Sequence, residues 1–268
     1  MKTAKPVSPG EQGYNSVHSL ATDGMRERLD KLLLAHGLAP SRERAQALIL
    51  AGRVLVNQQK VEKPGAAVEQ TAILRVLGEE QRYVSRGGFK LEAALTRWQI
   101  ELSGRDCADI GASTGGFTDC MLQHGAASVV AVDTGYGQIA EGLRRDPRVR
   151  LLERTNARYL QPGDLPSRIS FVSMDVSFIS ATLLLPAVRA AVAAQALLEM
   201  VVLVKPQFEA GREQVGKGGI VRDPAAHQFA IDRVRRTMQE LGASATEVED
   251  SPILGTKGNR EFLLYGRF

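Results

Sequence analysis

Beyond residue 100, four short apolar runs each contain or stop at a charged side chain: Cys107-Ala-Asp-Ile110, holding Asp109; Val129-Val-Ala-Val132, before Asp133; Phe171-Val-Ser-Met174, before Asp175; and Met200-Val-Val-Leu-Val204, before Lys205. Each is apolar at successive positions and not only at alternate ones, the pattern of a strand buried on both faces of a parallel sheet. Helical patterns lie between them. One begins near Phe89 with Leu91, Ala94, Leu95 and Trp98 inward, and another starts at Phe117. Further helices are predicted over Gln138–Arg145, about Ser180–Leu198 and Ala225–Leu241, with an extra strand at Val149–Leu152 leading to Asn156. Ser244–Glu249 and Glu261–Phe268 form a final strand pair. The alternation predicts a doubly wound, Rossmann-like α/β sheet, whose ligand crevice lies at the carboxyl ends of the strands.

The first third of the chain has a different rhythm. Leu29, Leu32, Leu33 and His36 repeat at helical spacing up to Gly37, a C-cap candidate. Ser41 is an N-cap for a second helix, Arg42–Leu50, which buries Ala45, Leu48 and Ile49 and is closed by Gly52. Val54-Leu-Val56, a polar turn at 57–59 and Val61 predict a hairpin, and Val68 with Ile73–Val76 a further strand pair. The layout predicts four segments: a disordered extension over 1–24, a small α+β domain over 25–80, a linker over 81–88 and the α/β domain over 89–268.

Charge sharpens the picture of the small domain. Arg26, Arg28, Lys31, Arg42, Arg44, Arg53 and Lys60 outnumber Glu27, Asp30 and Glu43 by four, which equals the net charge of the whole chain, +4. Arg42 and Arg44 occupy the first turn of a helix, where the macrodipole disfavours cations, so something other than helix stability holds them there. Phosphate is the natural partner, and these seven bases are the candidate RNA contacts. Elsewhere composition mainly excludes. Cys107 and Cys120 have no Cys-x-x-Cys spacing and fit reduced, buried thiols; the amino terminus has no apolar signal core; the expected location is the cytoplasm. The four histidines lack ligand spacing, so no metal is expected. The longest apolar tract, 179–204, contains Pro186, Arg189 and Glu199, and it fits a core helix followed by a core strand better than a membrane span.

The first strand of the sheet leads into Gly111-Ala-Ser-Thr-Gly-Gly-Phe117. Its glycines let a ligand approach the backbone, but the spacing is not the Gly-x-Gly-x-x-Gly that wraps a pyrophosphate. A nucleoside without phosphates fits better. Asp133, about 20 positions after the loop begins, is placed to hold ribose hydroxyls, and Asp109 argues for a ligand bearing an ammonium or sulfonium charge. S-adenosylmethionine has both features. The candidate cofactor residues are Asp109, Gly111, Ser113, Gly115, Gly116, Phe117, Asp133 and Asn156.

Lys90, Asp175, Lys205 and Glu261 flank this crevice in the predicted winding. Two amines brought together repel, and two carboxylates can orient the one that stays charged, leaving Lys205 as base or hydrogen-bond acceptor for an alcohol attacking a methyl group. After Lys205, Pro206 ends the strand and the glycine-rich segment 211–219 has the composition of a lid.

Two resemblances join these readings. Arg28-Leu-Asp-Lys-Leu-Leu-Leu and Ser41-Arg-x-x-Ala-x-x-Leu-Ile-x-x-Gly-x-Val-x-Val-Asn57 resemble the RNA-binding module named after ribosomal protein S4. Ser85-Arg-Gly-Gly-Phe-Lys90, Asp109–Asp119, Met174-Asp-Val-Ser-Phe178, Leu203–Glu209 and Gly258-Asn-Arg-Glu-Phe262 together resemble the TlyA family of haemolysins and ribosomal RNA 2′-O-methyltransferases. The catalytic half is similar to FtsJ-type methyltransferases, whose Lys-Asp-Lys-Glu tetrad would fall on Lys90, Asp175, Lys205 and Glu261. The resemblance implies methyl transfer from S-adenosylmethionine to a ribose 2′-hydroxyl of ribosomal RNA, cytidine being the family's usual target, by a monomer that engages ribosomal subunits. Residues 1–24 depart from the family pattern. The competing readings are a non-catalytic RNA-binding factor and, further off, a membrane-active haemolysin.

Overall fold

The computed structural model describes residues 25–77, 82–166, 168–192 and 197–268. The expected disordered extension over 1–24 lies outside them. The chain divides into two compact units, one ending at Arg82 and the other running from Tyr83 to Phe268.

In the first unit β1 (Arg26–Arg28) leads into α1 (Leu29–Ala35), then α2 (Arg42–Leu50), β2 (Val54–Val56), β3 (Gln59–Lys60), β4 (Ala67–Glu69) and β5 (Leu74–Val76). The helical repeat of Leu29, Leu32 and Leu33 meets Ala45, Leu48 and Ile49 of α2 and Val54, Val68 and Leu74 of the strands in one core. Gly37, with φ +68°, ends the first helical segment, and Ser41 Oγ accepts the Arg44 N–H at 3.2 Å as the N-cap of α2. The strand pairing differs from expectation. Val68 does not pair with 73–76; it faces Glu27 of β1, while β5 pairs with β2 in a β3-β2-β5 sheet. Arg26-Glu-Arg28 is polar throughout, so neither alternation nor an apolar run marks it as a strand.

The second unit opens with α3 (Gly87–Trp98) and continues through β6 (Asp106–Ile110), α4 (Gly116–Gln123), β7 (Ser128–Val132), α5 (Glu141–Arg145), β8 (Val149–Leu152), β9 (Ile169–Met174), α6 (Leu185–Ala191), β10 (Glu199–Val204), α7 (Pro206–Glu209), α8 (Pro224–Glu240), β11 (Ala245–Asp250) and β12 (Phe262–Arg267). The sheet order is β11-β12-β10-β9-β6-β7-β8, with β12 antiparallel to both its neighbours. Apolar side chains leave both faces of the central strands. Ile110, Val132, Met174 and Val204 pack under α6 and α8; Cys107, Val129, Phe171 and Leu203 pack under α3 and α4. Each fully buried Val, Leu or Phe contributes ~1.5–3 kcal/mol, which explains why these strands read as unbroken apolar runs. Both cysteines are free and buried, and burial pushes the Cys107 thiol up to about 12.

Three expectations shift. Of the expected linker, residues 83–88 belong to the second unit: Tyr83 is buried, its ring meets Phe89 edge-on at 5.3 Å, and a Cβ on Gly88 would collide with it. The helix expected over Ser180–Leu198 is limited in the described residues to a 3₁₀ turn at Ala181–Leu183 and α6, with Pro186 in the first turn. Trp98 turns only partly inward; it stacks on Tyr265 at 5.2 Å and donates to Glu247. Among the described residues no helix is long and apolar enough to cross a membrane.

Candidate active site

The strand order reverses between β6 and β9, whose carboxyl ends open a crevice. Here Gly111 adopts φ +86°, and a Cβ on it would lie 2.5 Å from the Asp175 carbonyl oxygen. Only glycine lets the loop pass so close to the end of β9. The loop then curls back: Ser113 N–H donates to Asp133 Oδ2 at 2.8 Å, and Gly135 N–H donates to Oδ1 at 2.6 Å. Each carboxylate oxygen keeps further acceptor capacity for a hydroxyl. Gly115, with φ +94°, starts α4, and Gly116 packs so tightly on the start of α3 that a Cβ would meet Ser85 Oγ and Gly88 N.

A cavity of about 710 Å³ opens over this loop. Lys90, Asp175, Lys205 and Glu261 all line it, together with Gly111, Ser113, Gly116 and Phe117. Its size suits a nucleoside ligand with room for a second reactant. The tetrad is arranged as two ion pairs. Lys90 Nζ donates to Glu261 Oε2 at 2.6 Å; Lys205 Nζ lies 2.5 Å from Asp175 Oδ1 and donates to Ser177 Oγ at 2.8 Å. Both lysines are 8% exposed and Glu261 4%. Each amine therefore has its own carboxylate, where the sequence suggested two carboxylates acting on one lysine.

Other candidates fall elsewhere. Asp109 lies beneath the loop, fully buried, and accepts from Thr118 Oγ1 at 2.7 Å and Ser173 Oγ at 3.0 Å. It does not line the cavity; through Thr118 and Ser173 it ties α4 to β9. Burial pushes its carboxyl up to about 6, against the pull of those two hydrogen bonds. Between about pH 4, where an unfolded aspartate titrates, and pH 6 the folded unit holds a proton the unfolded chain has lost, so stability falls across that window by ~3 kcal/mol and levels off above it. Asp109→Asn is expected to remove this slope. Urea midpoints of variant and wild type between pH 4 and 7.5 measure it; parallel curves refute it.

Asp133 and Ser113 border a small neighbouring hollow with Gln138 and Glu153, and Gly115 packs beneath on Leu143. Asn156 is exposed, accepts the Arg158 N–H at 3.0 Å and lines neither cavity. At the end of the glycine-rich segment, Asn259, two residues before Glu261, receives the Val221 N–H and donates to the Gly219 carbonyl. Sequence reasoning missed Ser177 and Lys257, both in the cavity lining. Ser177 follows Asp175 by two positions, a spacing that could have flagged it. Among the described residues no cluster of His, Cys, Asp and Glu could hold a metal.

In the first unit the expected RNA contacts are mostly paired. Arg26 meets Glu69 at 3.7 Å, Lys31 meets Glu27 at 3.4 Å and Lys60 meets Glu62 at 2.7 Å. Arg28 and Arg42 both reach Asp30, a fully buried carboxylate that also accepts from Gln46. Arg44 is half-buried and Arg53 exposed.

Sheet order, glycine loop and paired amines define a doubly wound α/β enzyme of the nucleoside-dependent transferase class. The chain belongs to the FtsJ-like methyltransferase family, whose pattern matches residues 83–268, while residues 27–73 match the S4 domain. It is 47% identical over 243 residues, 90% of each chain, to the 16S/23S rRNA (cytidine-2′-O)-methyltransferase TlyA of Mycobacterium tuberculosis. It is 40% identical to Hemolysin A of Brachyspira hyodysenteriae, over 89% of this chain and 98% of that one. A solved structure bearing a hemolysin name, from Streptococcus thermophilus, matches with a TM-score of 0.69 at 44% identity, covering 91% of this chain and 88% of the other.

Proposed function

We propose that this chain transfers the methyl group of S-adenosylmethionine to a ribose 2′-hydroxyl of ribosomal RNA, with cytidine as the target nucleoside. The observation that carries this reading is that both lysine–carboxylate pairs open into the same cavity as the glycine loop. The identity shared with a (cytidine-2′-O)-methyltransferase supports the substrate. When bound, S-adenosylmethionine supplies an electrophilic methyl group on a sulfonium.

The residues present fit that ligand. Asp133 can accept the ribose hydroxyls, and Gly111 and Gly116 let the backbone approach. Lys205, held by Asp175 and Ser177, aims a hydrogen-bonding amine at the incoming 2′-hydroxyl, and this pair receives the proton released as the oxygen–methyl bond forms. Lys90 and Glu261, paired at 2.6 Å, line the same cavity. The S4-type unit grips RNA through Arg26, Arg28, Lys31, Arg42, Arg44, Arg53 and Lys60, and Arg26, Lys31 and Lys60 exchange their surface carboxylates for phosphates on binding. The enzyme works in the cytoplasm as a monomer on ribosomal subunits.

Incubation with ribosomal subunits and radiolabelled S-adenosylmethionine tests the reading. Label is expected in RNA at a position resistant to alkaline cleavage, as ribose methylation requires. RNA binding without label would leave a non-catalytic factor. Asp133→Ala is expected to weaken cofactor binding by ~10–100-fold, the loss of hydrogen bonds to a charged acceptor; calorimetry showing unchanged affinity would remove Asp133 from the site.

A further inference from the structure

We propose that Glu209 is a positioning residue for methyl transfer: its buried carboxylate fastens the turn carrying Asp175 and Ser177 to the turn carrying Lys205. The proposal rests on the reading of the cavity given above. The problem it answers is geometric. β9 and β10 pair in parallel only as far as Met174 and Val202. Beyond that point no ladder bond joins the two chains, yet Lys205 must meet both Asp175 and Ser177 just after the strands end.

Glu209 spans this gap from behind. Its Oε1 accepts the Ala181 N–H at 2.7 Å and its Oε2 accepts from Ser180 Oγ. On its own side it closes α7, the single turn that follows Lys205, and Arg233 Nη1 of α8 donates to its carbonyl oxygen at 2.7 Å. It is 2% exposed and does not line the cavity, so it acts on the reaction only through Lys205 and Asp175.

The turn it grips needs an external hold. Phe178 adopts φ +66°, a left-handed conformation unfavourable for a bulky side chain, and is 92% exposed, with its ring 5.4 Å from Phe208. Burial of Phe178 therefore does not fix the turn. The Asp175 N–H is tied to the Ile110 carbonyl at 2.9 Å on the β6 side, and the hydrogen bonds from Ser180 and Ala181 tie the far end of the turn to the segment that carries Lys205. Burial pushes the Glu209 carboxyl up, opposed by those bonds and by the charge of Arg233. A carboxylate kept in so dry a place, beside a site where an ångström of displacement costs ~10²-fold in rate, fits a role in alignment.

Kinetics on the full chain with ribosomal subunits decide the matter. Glu209→Ala is expected to lower kcat by ~30-fold, with KM for RNA and Kd for S-adenosylmethionine changed by less than ~3-fold. Glu209→Gln, whose amide can accept from Ala181 and donate to Ser180 Oγ, is expected to recover kcat to within ~5-fold of wild type, and Ser180→Ala to fall between the two. If Glu209→Ala does not fold, Glu209→Gln and Ser180→Ala carry the comparison. Equal losses in kcat, cofactor affinity and melting temperature, or a kcat within ~3-fold of wild type in Glu209→Ala and Ser180→Ala, overturn the proposal. Wild-type protein that methylates no RNA overturns the functional reading instead, and this proposal with it.

Discussion

Lys205→Ala is expected to lower kcat for RNA methylation by ~10²–10⁴, or ~3–5 kcal/mol of transition-state stabilisation, while RNA affinity stays within ~2-fold. The amine sits between two groups that define its position, Asp175 Oδ1 at 2.5 Å and Ser177 Oγ at 2.8 Å, in the cavity lining. Its removal takes away the donor that orients the hydroxyl and leaves the Asp175 carboxylate half-buried with no cation. The two losses belong to one device, so Asp175→Ala and the double variant should cost nearly as much as Lys205→Ala alone. Single-turnover rates on purified subunits measure this. A Lys205→Ala enzyme within ~3-fold of wild type would exclude Lys205 from the chemistry. Additive losses in the double variant would mean instead that the pair does not act as a unit.

How far the sequence spoke for this site depends on what kind of information each residue carries. Strand ends were legible because a doubly covered sheet demands continuous apolar runs, and a charged residue at the end of such a run has nowhere to lie but the crevice. Asp133, Asp175 and Lys205 were found that way. Helix extent was less legible. Leucine and alanine over 181–198 suit a helix throughout, but Pro186 suits its first turn, and the observed α6 begins at Leu185. Which carboxylate serves which lysine was hidden, because Lys90 and Glu261 are 171 positions apart and only distances decide the pairing.

Charge misled at two buried aspartates for one reason: a formal count takes no account of depth. The sequence places Asp109 at a strand end but not its depth: it is a hydrogen-bonded group under the loop. Asp30 lowers the formal charge of the basic surface, yet it lies buried beneath that surface and anchors Arg28 and Arg42. Arg42, at the start of a helix where a cation is unfavourable, is held there at least in part by Asp30, which lies within its own unit.

Asp30 consequently supports the second large effect. Asp30→Ala is expected to destabilise the S4-type unit by ~2–3 kcal/mol, below the ~3–5 of a fully buried broken pair because Arg28 and Arg42 are half exposed and regain water. The variant loses two bonds from Arg28, one from Arg42 and one from Gln46 at a site with no exposure. In so small a unit that is a large share of the total. Hydrogen exchange on the full chain should show amides between 26 and 76 losing protection, while those of the seven-stranded sheet keep theirs. The acid limb gives an independent sign. The Arg28 hydrogen bonds hold the Asp30 carboxyl well below the usual carboxylate range, aided by Gln46 and Arg42. The pairing therefore stabilises the unit in full above about pH 4, where an unfolded aspartate titrates, and the benefit is lost as pH falls through the lower folded value. Wild-type protection should decline on acidification below about pH 4 more steeply than that of Asp30→Asn, which carries no charge to neutralise. Identical acid profiles would mean that Asp30 is a spectator, and the basic face would then owe its arrangement to some other contact.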